Sequence, residues 1–273
     1  MDKRRPRPSF VHPGTVRTMG TNVENDTGRV VWTEVIDGIA TITLDSQQNR
    51  NALSRQLVAE LHEGIDTAEA QHARAIVLTH RGPAFCAGAD LKERSDAPAD
   101  SRPFVRALER LMDTERPTIA AVNGAVRAGG IGLMAACDLV VVHSSTTFAL
   151  TEVRIGVAAA IISVPILRRV PAGKIAAAML TGEPFDAAEA RSIGLVSHVA
   201  HDVEATVSVL CDGIRAGAPR AVAETKRMLG VVPSMSRDAA FEAMRELSDT
   251  LFRGPDAAKG MAAFAEKRTP VWD

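Results

Sequence analysis

The sequence has almost no net charge, with 32 lysines and arginines against 33 aspartates and glutamates, leaving −1 at neutral pH. A chain so balanced generates no field that would gather nucleic acid or an anionic membrane, so a small-molecule partner is expected. Cysteine is scarce too. Cys86, Cys137 and Cys211 lie far apart and form no CxxC pair, which excludes a disulfide framework and a cysteine zinc site and suits a reducing, cytoplasmic setting. No apolar run is long enough for a signal-peptide core or a membrane span, so a soluble protein is expected.

Several catalytic signatures are also missing. There is no G-x-S-x-G elbow for a serine hydrolase. The seven histidines, His12, His62, His72, His80, His143, His198 and His201, include no helical pair at metal-ligand spacing and read as surface or packing residues. Gly173-Lys174 is followed by Ile175 and lacks the upstream glycine of a phosphate-binding loop. No metal and no separate cofactor is expected.

What is present reads as an α/β chain. Residues 1–29 are rich in Arg, Pro and Thr without periodicity and suit a disordered extension. Residues 30–36 and 39–44 alternate around Asp37-Gly38, the signature of a hairpin with a type I′ turn. Ser54 can cap a helix that carries Leu57, Leu61, Ile65 and Ala68 on one face, and Ala75–Leu78 then reads as a buried strand. The pattern repeats with a helix through Phe104, Leu108 and Leu111, a strand over 118–122, a short helix over about 130–137 and a strand over 138–142. Such alternation predicts a mostly parallel sheet covered by helices. Residues 194–199 read as one late strand, and 203–268 as helix throughout. The expected organisation is therefore a tail over 1–29, an α/β core over 30–200 and a helical region over 201–273.

Two glycine-rich turns stand out. Gly82-Pro83-Ala84-Phe85-Cys86-Ala87-Gly88-Ala89-Asp90-Leu91-Lys92-Glu93 joins a buried strand to a helix, and so does Asn123-Gly124-Ala125-Val126-Arg127-Ala128-Gly129-Gly130-Ile131-Gly132-Leu133. Small residues let a ligand approach the main chain, and N–H groups at a helix start are free to donate. Each turn alone reads equally as an ordinary strand–helix loop. Gly130 to Ala135 also matches G-x-G-x-x-A, with Glu152 near the spacing of a ribose-binding acid. A dinucleotide fingerprint places its first glycine directly after the strand, however, whereas seven residues separate Val122 from Gly130 here. Glu152 by itself reads as a solvated acid or the partner of Arg154.

Taken together, Phe85 to Glu93, Asn123-Gly124 with Gly129-Gly130, and Cys137-Asp138 resemble the paired motifs of the enoyl-CoA hydratase/isomerase (crotonase) superfamily. Further stretches of similarity are Arg50–Ser54, Thr151–Gly156, Leu180–Gly182, Gly194–Val196 and Gly260–Arg268, so the resemblance covers all but the tail. It implies a ClpP/crotonase-like core of repeated ββα units with a helical C-terminal region. It also implies an oxyanion hole made by the N–H groups of Ala89 and Gly129, with Glu152 as acid/base. Ala52, Ala87, Gly88, Asp90, Leu91, Gly130 and Gly132 would line the coenzyme A and acyl groups, and Lys267, with Arg268, would reach the coenzyme's 3′-phosphate from a neighbouring subunit. Arg127 is open between an acidic acyl group and a surface pairing.

The resemblance further implies an acyl-CoA substrate, a role in fatty acid metabolism and a homotrimer or dimer of trimers. Many hydratases of this family carry a second carboxylate where this chain has Gly132. Hydration of a 2-enoyl-CoA through one glutamate is the expected reaction, with 3-enoyl to 2-enoyl isomerisation as the alternative. A non-catalytic acyl-CoA binding protein is the reading from another class; it has no use for a carboxylate at 152.

Overall fold

The computed structural model describes residues 28–96 and 100–272. The tail expected over 1–29 lies outside the described residues, apart from Gly28 and Arg29. Those two are tied to the first helix, where Arg29 pairs with Glu63 and the Gln56 amide donates to the Gly28 carbonyl.

Asp37 and Gly38 both adopt positive φ, 49° and 74°, as a type I′ turn demands. They join antiparallel β1 (Val31–Ile36) and β2 (Ile39–Leu44). The Ser54 hydroxyl accepts the Leu57 N–H at 3.1 Å and caps α1 (Arg55–Ala70), whose Leu57, Leu61, Ile65 and Ala68 are fully buried.

From β2 the sheet continues in parallel through β3 (Ala75–His80), β5 (Thr118–Val122), β7 (Leu139–His143) and β10 (His198–Ala200), in the order β1-β2-β3-β5-β7-β10. The central strands read as continuous apolar runs because both of their faces are covered. Alternate side chains diverge. Ile76, Leu78, Ala120, Val122, Val140 and Val142 join the main core with α1 and α3 (Arg102–Asp113). Val77, Ile119, Ala121 and Val141 meet Val203, Val207 and Cys211 of α8 (Val203–Ala216) on the opposite face.

Each central strand is followed, within a few residues, by a short strand of a second sheet. These are β4 (Ala84–Cys86), β6 (Ala125–Arg127) and β8 (Thr147–Ala149), with β9 (Phe185–Asp186) closing the order β4-β6-β8-β9. β4 leads into α2 (Leu91–Asp96), β6 into α4 (Gly129–Ala135), and β8 into a short 3₁₀ turn, Glu152–Ile155, ahead of α5 (Ala160–Arg169). This strand–strand–helix repeat places the start of a helix or turn at one edge of the second sheet three times over. In sequence β4 and β6 are indistinguishable from the two glycine-rich turns, because three residues are too few to show a period.

The remaining helices are α6 (Ala172–Thr181), α7 (Ala187–Ser192), α9 (Pro219–Val231), α10 (Arg237–Phe252) and α11 (Pro255–Ala265). Several contacts bind the helical stretch to the core, an ion pair among them. Lys226 of α9, nearly buried, places its ammonium 2.8 Å from Asp138 Oδ2 and donates to the carbonyls of Leu111 and Arg116 at 3.0 Å each. Asp138 in turn accepts the N–H and hydroxyl of Thr118. At the far end the Trp272 indole N–H donates to Ala216 O at 2.8 Å.

Candidate active site

The two glycine-rich turns meet. A Cβ built on Gly129 would lie 3.7 Å from Gly88 Cα, and one built on Gly88 would lie 3.5 Å from Gly129 N. Gly88 sits at φ +91°, and a Cβ there would stand 2.8 Å from the Ala128 methyl, so only glycine serves. The Leu53 N–H donates to Gly88 O at 2.7 Å, and Leu53 bridges Ala89 in parallel, which steers the chain past Cys86. Ala87 is held likewise by its N–H to Arg50 O, 3.1 Å.

Ala128 has φ 47° and ψ −119°, a conformation unfavourable for a residue with a Cβ. It is imposed from both sides: the Ala128 N–H donates to Ala149 O at 3.0 Å, and its carbonyl accepts the Ile131 N–H at 2.9 Å. The strain is spent turning the chain from β6 into α4, so that Gly129 is the first helical residue and its N–H has no carbonyl one turn back to bond. Among the described residues neither the Ala89 nor the Gly129 N–H donates to a protein acceptor. Two adjacent unpaired backbone donors are the minimal machinery for stabilising an oxyanion. α4 has only seven residues, so these N–H groups, rather than a long helix dipole, are what it can offer.

Glu152 arrives by way of β8. The pairing of Arg127 with Ala149 and the Ala128–Ala149 hydrogen bond put Glu152 three residues beyond the contact with the Gly129 turn. Its Oε2 is buried with no hydrogen-bond partner among the described residues. Burial raises the carboxyl's pKa above its ordinary value, opposed in part by its own N–H. Arg154, the partner the sequence left open for it, turns away to Glu183 and to Thr181 O. A half-buried carboxyl with one oxygen left without a partner and its pKa raised by burial is the type of group that can take and return a proton.

The residues around these three are packed to different ends. Ala52 is buried, and Leu91 is exposed at the start of α2. Asp90 caps α2 by accepting the Lys92 N–H at 3.1 Å and also takes a hydrogen bond from Asn49. Gly130 lies against Cys86, where a Cβ would stand 2.7 Å from the cysteine Cβ. At Gly132 a Cβ would stand 2.5 Å from Ile162 Cβ, so α5 already occupies the space in which a side chain at 132 would begin. The Arg127 guanidinium donates to the carbonyls of Val126 and Thr147 and to the Thr147 hydroxyl, tying β6 to β8. Lys267 is exposed beyond α11, at φ 55°.

Asn51 is a residue whose importance the sequence reading did not single out. Fully buried at φ 55°, it accepts the Ser46 N–H and donates to the carbonyls of Arg81 and Ala84, bracing the loop that leads into β4. Its signal was present only as one letter inside the Arg50–Ser54 stretch. Cys86 is no nucleophile: burial pushes its thiol up to about 12, and its sulfur accepts the Gly88 N–H at 3.4 Å. Two clefts, of about 530 and 440 Å³, lie elsewhere, one between α1 and α3 and one among α9, α10 and α11. Among the described residues there is no group of three or more His, Cys, Asp or Glu side chains that could hold a metal, and no helix long and apolar enough to cross a membrane.

The chain is similar to known proteins over most of its length. The chain is 33% identical to enoyl-CoA hydratase domain-containing protein 3 of Danio rerio, over 95% of this chain and 93% of the relative. It is 35% identical to the mevalonyl-coenzyme A hydratase sidH of Aspergillus fumigatus, over 86% and 91%. Among solved structures, an enoyl-CoA hydratase of Mycobacterium smegmatis superposes with a TM-score of 0.84 at 30% identity, covering 89% of this chain and 98% of that one. With the enoyl-CoA hydratase/isomerase sequence model matching residues 34–273, the chain belongs to the enoyl-CoA hydratase/isomerase family and has the crotonase fold.

Proposed function

We propose that this protein hydrates a 2-enoyl-CoA thioester, with Glu152 as its single acid/base. The observation that carries the reading is the half-buried Glu152 carboxyl, its Oε2 without a hydrogen-bond partner among the described residues and its pKa raised by burial, on the strand–turn segment that touches the Gly129 turn. In this scheme the thioester oxygen sits between the N–H groups of Ala89 and Gly129. Glu152 takes a proton from water as the water oxygen bonds to C3. The C2–C3 π electrons shift toward the carbonyl, and the resulting enolate oxygen is held by the two donors. Protonated Glu152 then returns the proton to C2, regenerating the carboxylate. Coenzyme A enters as part of the substrate, and no other cofactor takes part.

The isomerase reading has its own support in Ile162, which fills the space beside Gly132 where a second carboxylate would stand. One carboxyl suffices to move a proton from C2 to C4. The two reactions separate in one experiment, the absorbance of the conjugated enoyl thioester followed with a 2-enoyl-CoA and, separately, with a 3-enoyl-CoA. Loss of absorbance from the first, absent in Glu152→Gln, supports hydration. Gain from the second alone overturns hydration in favour of isomerisation. No change from either, with acyl-CoA still bound, sinks both.

Assembly as a homotrimer or a pair of trimers in a reducing, cytoplasmic setting belongs to the same proposal. α10 buries none of its sixteen residues, and Phe241, Phe252 and Phe264 are 72%, 69% and 86% exposed. An apolar face of that kind is normally covered by another copy. In such an assembly Lys267 would reach the coenzyme phosphate of a neighbour.

A further inference from the structure

His80 ends β3 and takes no part in the chemistry proposed above, yet its ring is wedged between the two turns. Nε2 accepts the Asn123 N–H at 2.9 Å. The ring stands edge-on to Phe85 of β4, with centroids 5.6 Å apart at 86°. Its Cε1 lies 3.0 Å from where a Cβ on Gly124 would be. Nδ1 is buried and makes no hydrogen bond among the described residues. An accepting Nε2 puts the proton on Nδ1, so the ring works here as a neutral acceptor. Burial, which lowers its pKa against the opposing pull of the carbonyls of Arg81, Ala84 and Gly82, favours that state.

This contact sits where the site most needs definition. β4 and β6 are three residues each, and their parallel register shifts between Ala84 and Cys86. So short a pair specifies its own register weakly. A slip of one residue displaces a strand by about 3.3 Å, roughly a full hydrogen-bond length and fatal to two donors aimed at one oxygen. Ala89 lies three residues past the end of β4 and Gly129 two past the end of β6, so the spacing of their N–H groups inherits the register. Asn51 braces the β3–β4 turn from one side through Arg81 O and Ala84 O. His80 links that turn to the start of the Asn123–Gly124 turn from the other.

We infer that His80 is a positioning residue of the thioester site: by holding Asn123 against the β3–β4 turn, it sets the spacing of the Ala89 and Gly129 N–H groups. The inference rests on reading those groups as the thioester donors, and its test separates the two ideas. Affinities for butyryl-CoA and for the thioether S-butyl-coenzyme A, which lacks the carbonyl oxygen, are measured by calorimetry on wild type, His80→Leu, His80→Asn and His80→Gln. A glutamine amide reaches the place of Nε2; asparagine falls short.

Wild type is expected to prefer the thioester about tenfold, the worth of a hydrogen-bonded carbonyl. The preference should fall to about twofold in His80→Leu and His80→Asn and return in His80→Gln, with thioether affinity unchanged throughout. A preference that survives intact in either of the first two overturns the positioning role. So does a parallel loss of both ligands, which would make His80 a general packing residue. A wild type with no preference overturns the oxyanion reading itself. Should His80→Leu fail to fold, His80→Asn decides alone.

Discussion

Glycines at the two turns and the glycines inside α8 and α9 are the same residue in opposite surroundings. At Gly88, Gly124, Gly129, Gly130 and Gly132 a Cβ would come within 2.8 Å of a neighbouring atom. At Gly213 of α8 and Gly230 of α9 it would meet nothing within 4 Å. The first set is glycine because backbone must lie against backbone or against a packed side chain. For the second, the isolated chain supplies no such reason. The contrast runs through the molecule: the sheet-and-turn region is filled to the limit, while α10 buries nothing. Precision in this protein is concentrated where three short strands lead to two N–H groups and one carboxyl.

The sharpest way to break that picture is Glu152→Gln. Turnover should fall by about 10²–10⁴-fold, the usual worth of a general acid–base group, while acyl-CoA affinity is kept. The same substitution should raise the melting temperature at neutral pH. The folded-state pKa of Glu152 is raised above its ordinary value of 4.5, so the folded protein holds this proton more tightly than the unfolded chain does. The wild type therefore loses stability as pH rises from the unfolded value through the raised one, and glutamine, with no proton to lose, escapes that loss. Melts across pH 3–8 on both proteins should converge at the acid end and separate above. If they separate at the acid end instead, the burial of Glu152 is not what sets its pKa.

Lys226→Met tests the join between the two regions. The substitution leaves Asp138 without its cation and removes a donor from the Leu111 and Arg116 carbonyls. A cost of about 3 kcal/mol is expected in urea unfolding. Hydrogen exchange should speed up in α9 before it does in β3 or β5. An unchanged unfolding midpoint would mean that the helices are held by something other than this ion pair.

How much of this was legible in the sequence follows the same division. The hairpin turn at Asp37-Gly38, the Ser54 cap and the double-sided strands were readable because each rests on a local rule of turn chemistry, capping or period. The late strand begins four residues after the 194 that its sequence pattern suggests, because Gly194 sits at φ +90° in a turn and pairing with β7 begins only at His198. The second sheet was invisible: strands of two or three residues carry no periodicity, and their partners lie roughly twenty to forty residues away in sequence. The roles expected for Ala89, Gly129 and Glu152 came from the resemblance of their motifs, not from the residues taken singly. The closeness of Gly88 to Gly129, the strain at Ala128 and the bracing by Asn51 and His80 are tertiary facts with no local signature. Ile162 filling the space at Gly132 is another, since helix period marks Ile162 as core but cannot say against what.

Gly130→Ala and Gly213→Ala together put the opening contrast on a scale. In α4 the added methyl would lie 2.7 Å from Cys86 Cβ and 2.9 Å from Cys86 O. It should destabilise by about 1–3 kcal/mol through overpacking and push β4 off the register that places Ala89. Activity should therefore fall further than stability predicts. In α8 the same methyl enters open space, and alanine at an exposed helical position should stabilise by about 0.5–1 kcal/mol; Gly230→Ala in α9 should do the same. Urea unfolding at two protein concentrations, with sedimentation alongside, reads both effects. A stabilising alanine at 213 with unchanged assembly leaves that face free. A loss of stability that deepens on dilution would instead place Gly213 where another copy of the chain lies close. The helical region would then owe its glycine to the same rule of close approach that governs the turns, applied between chains rather than within one.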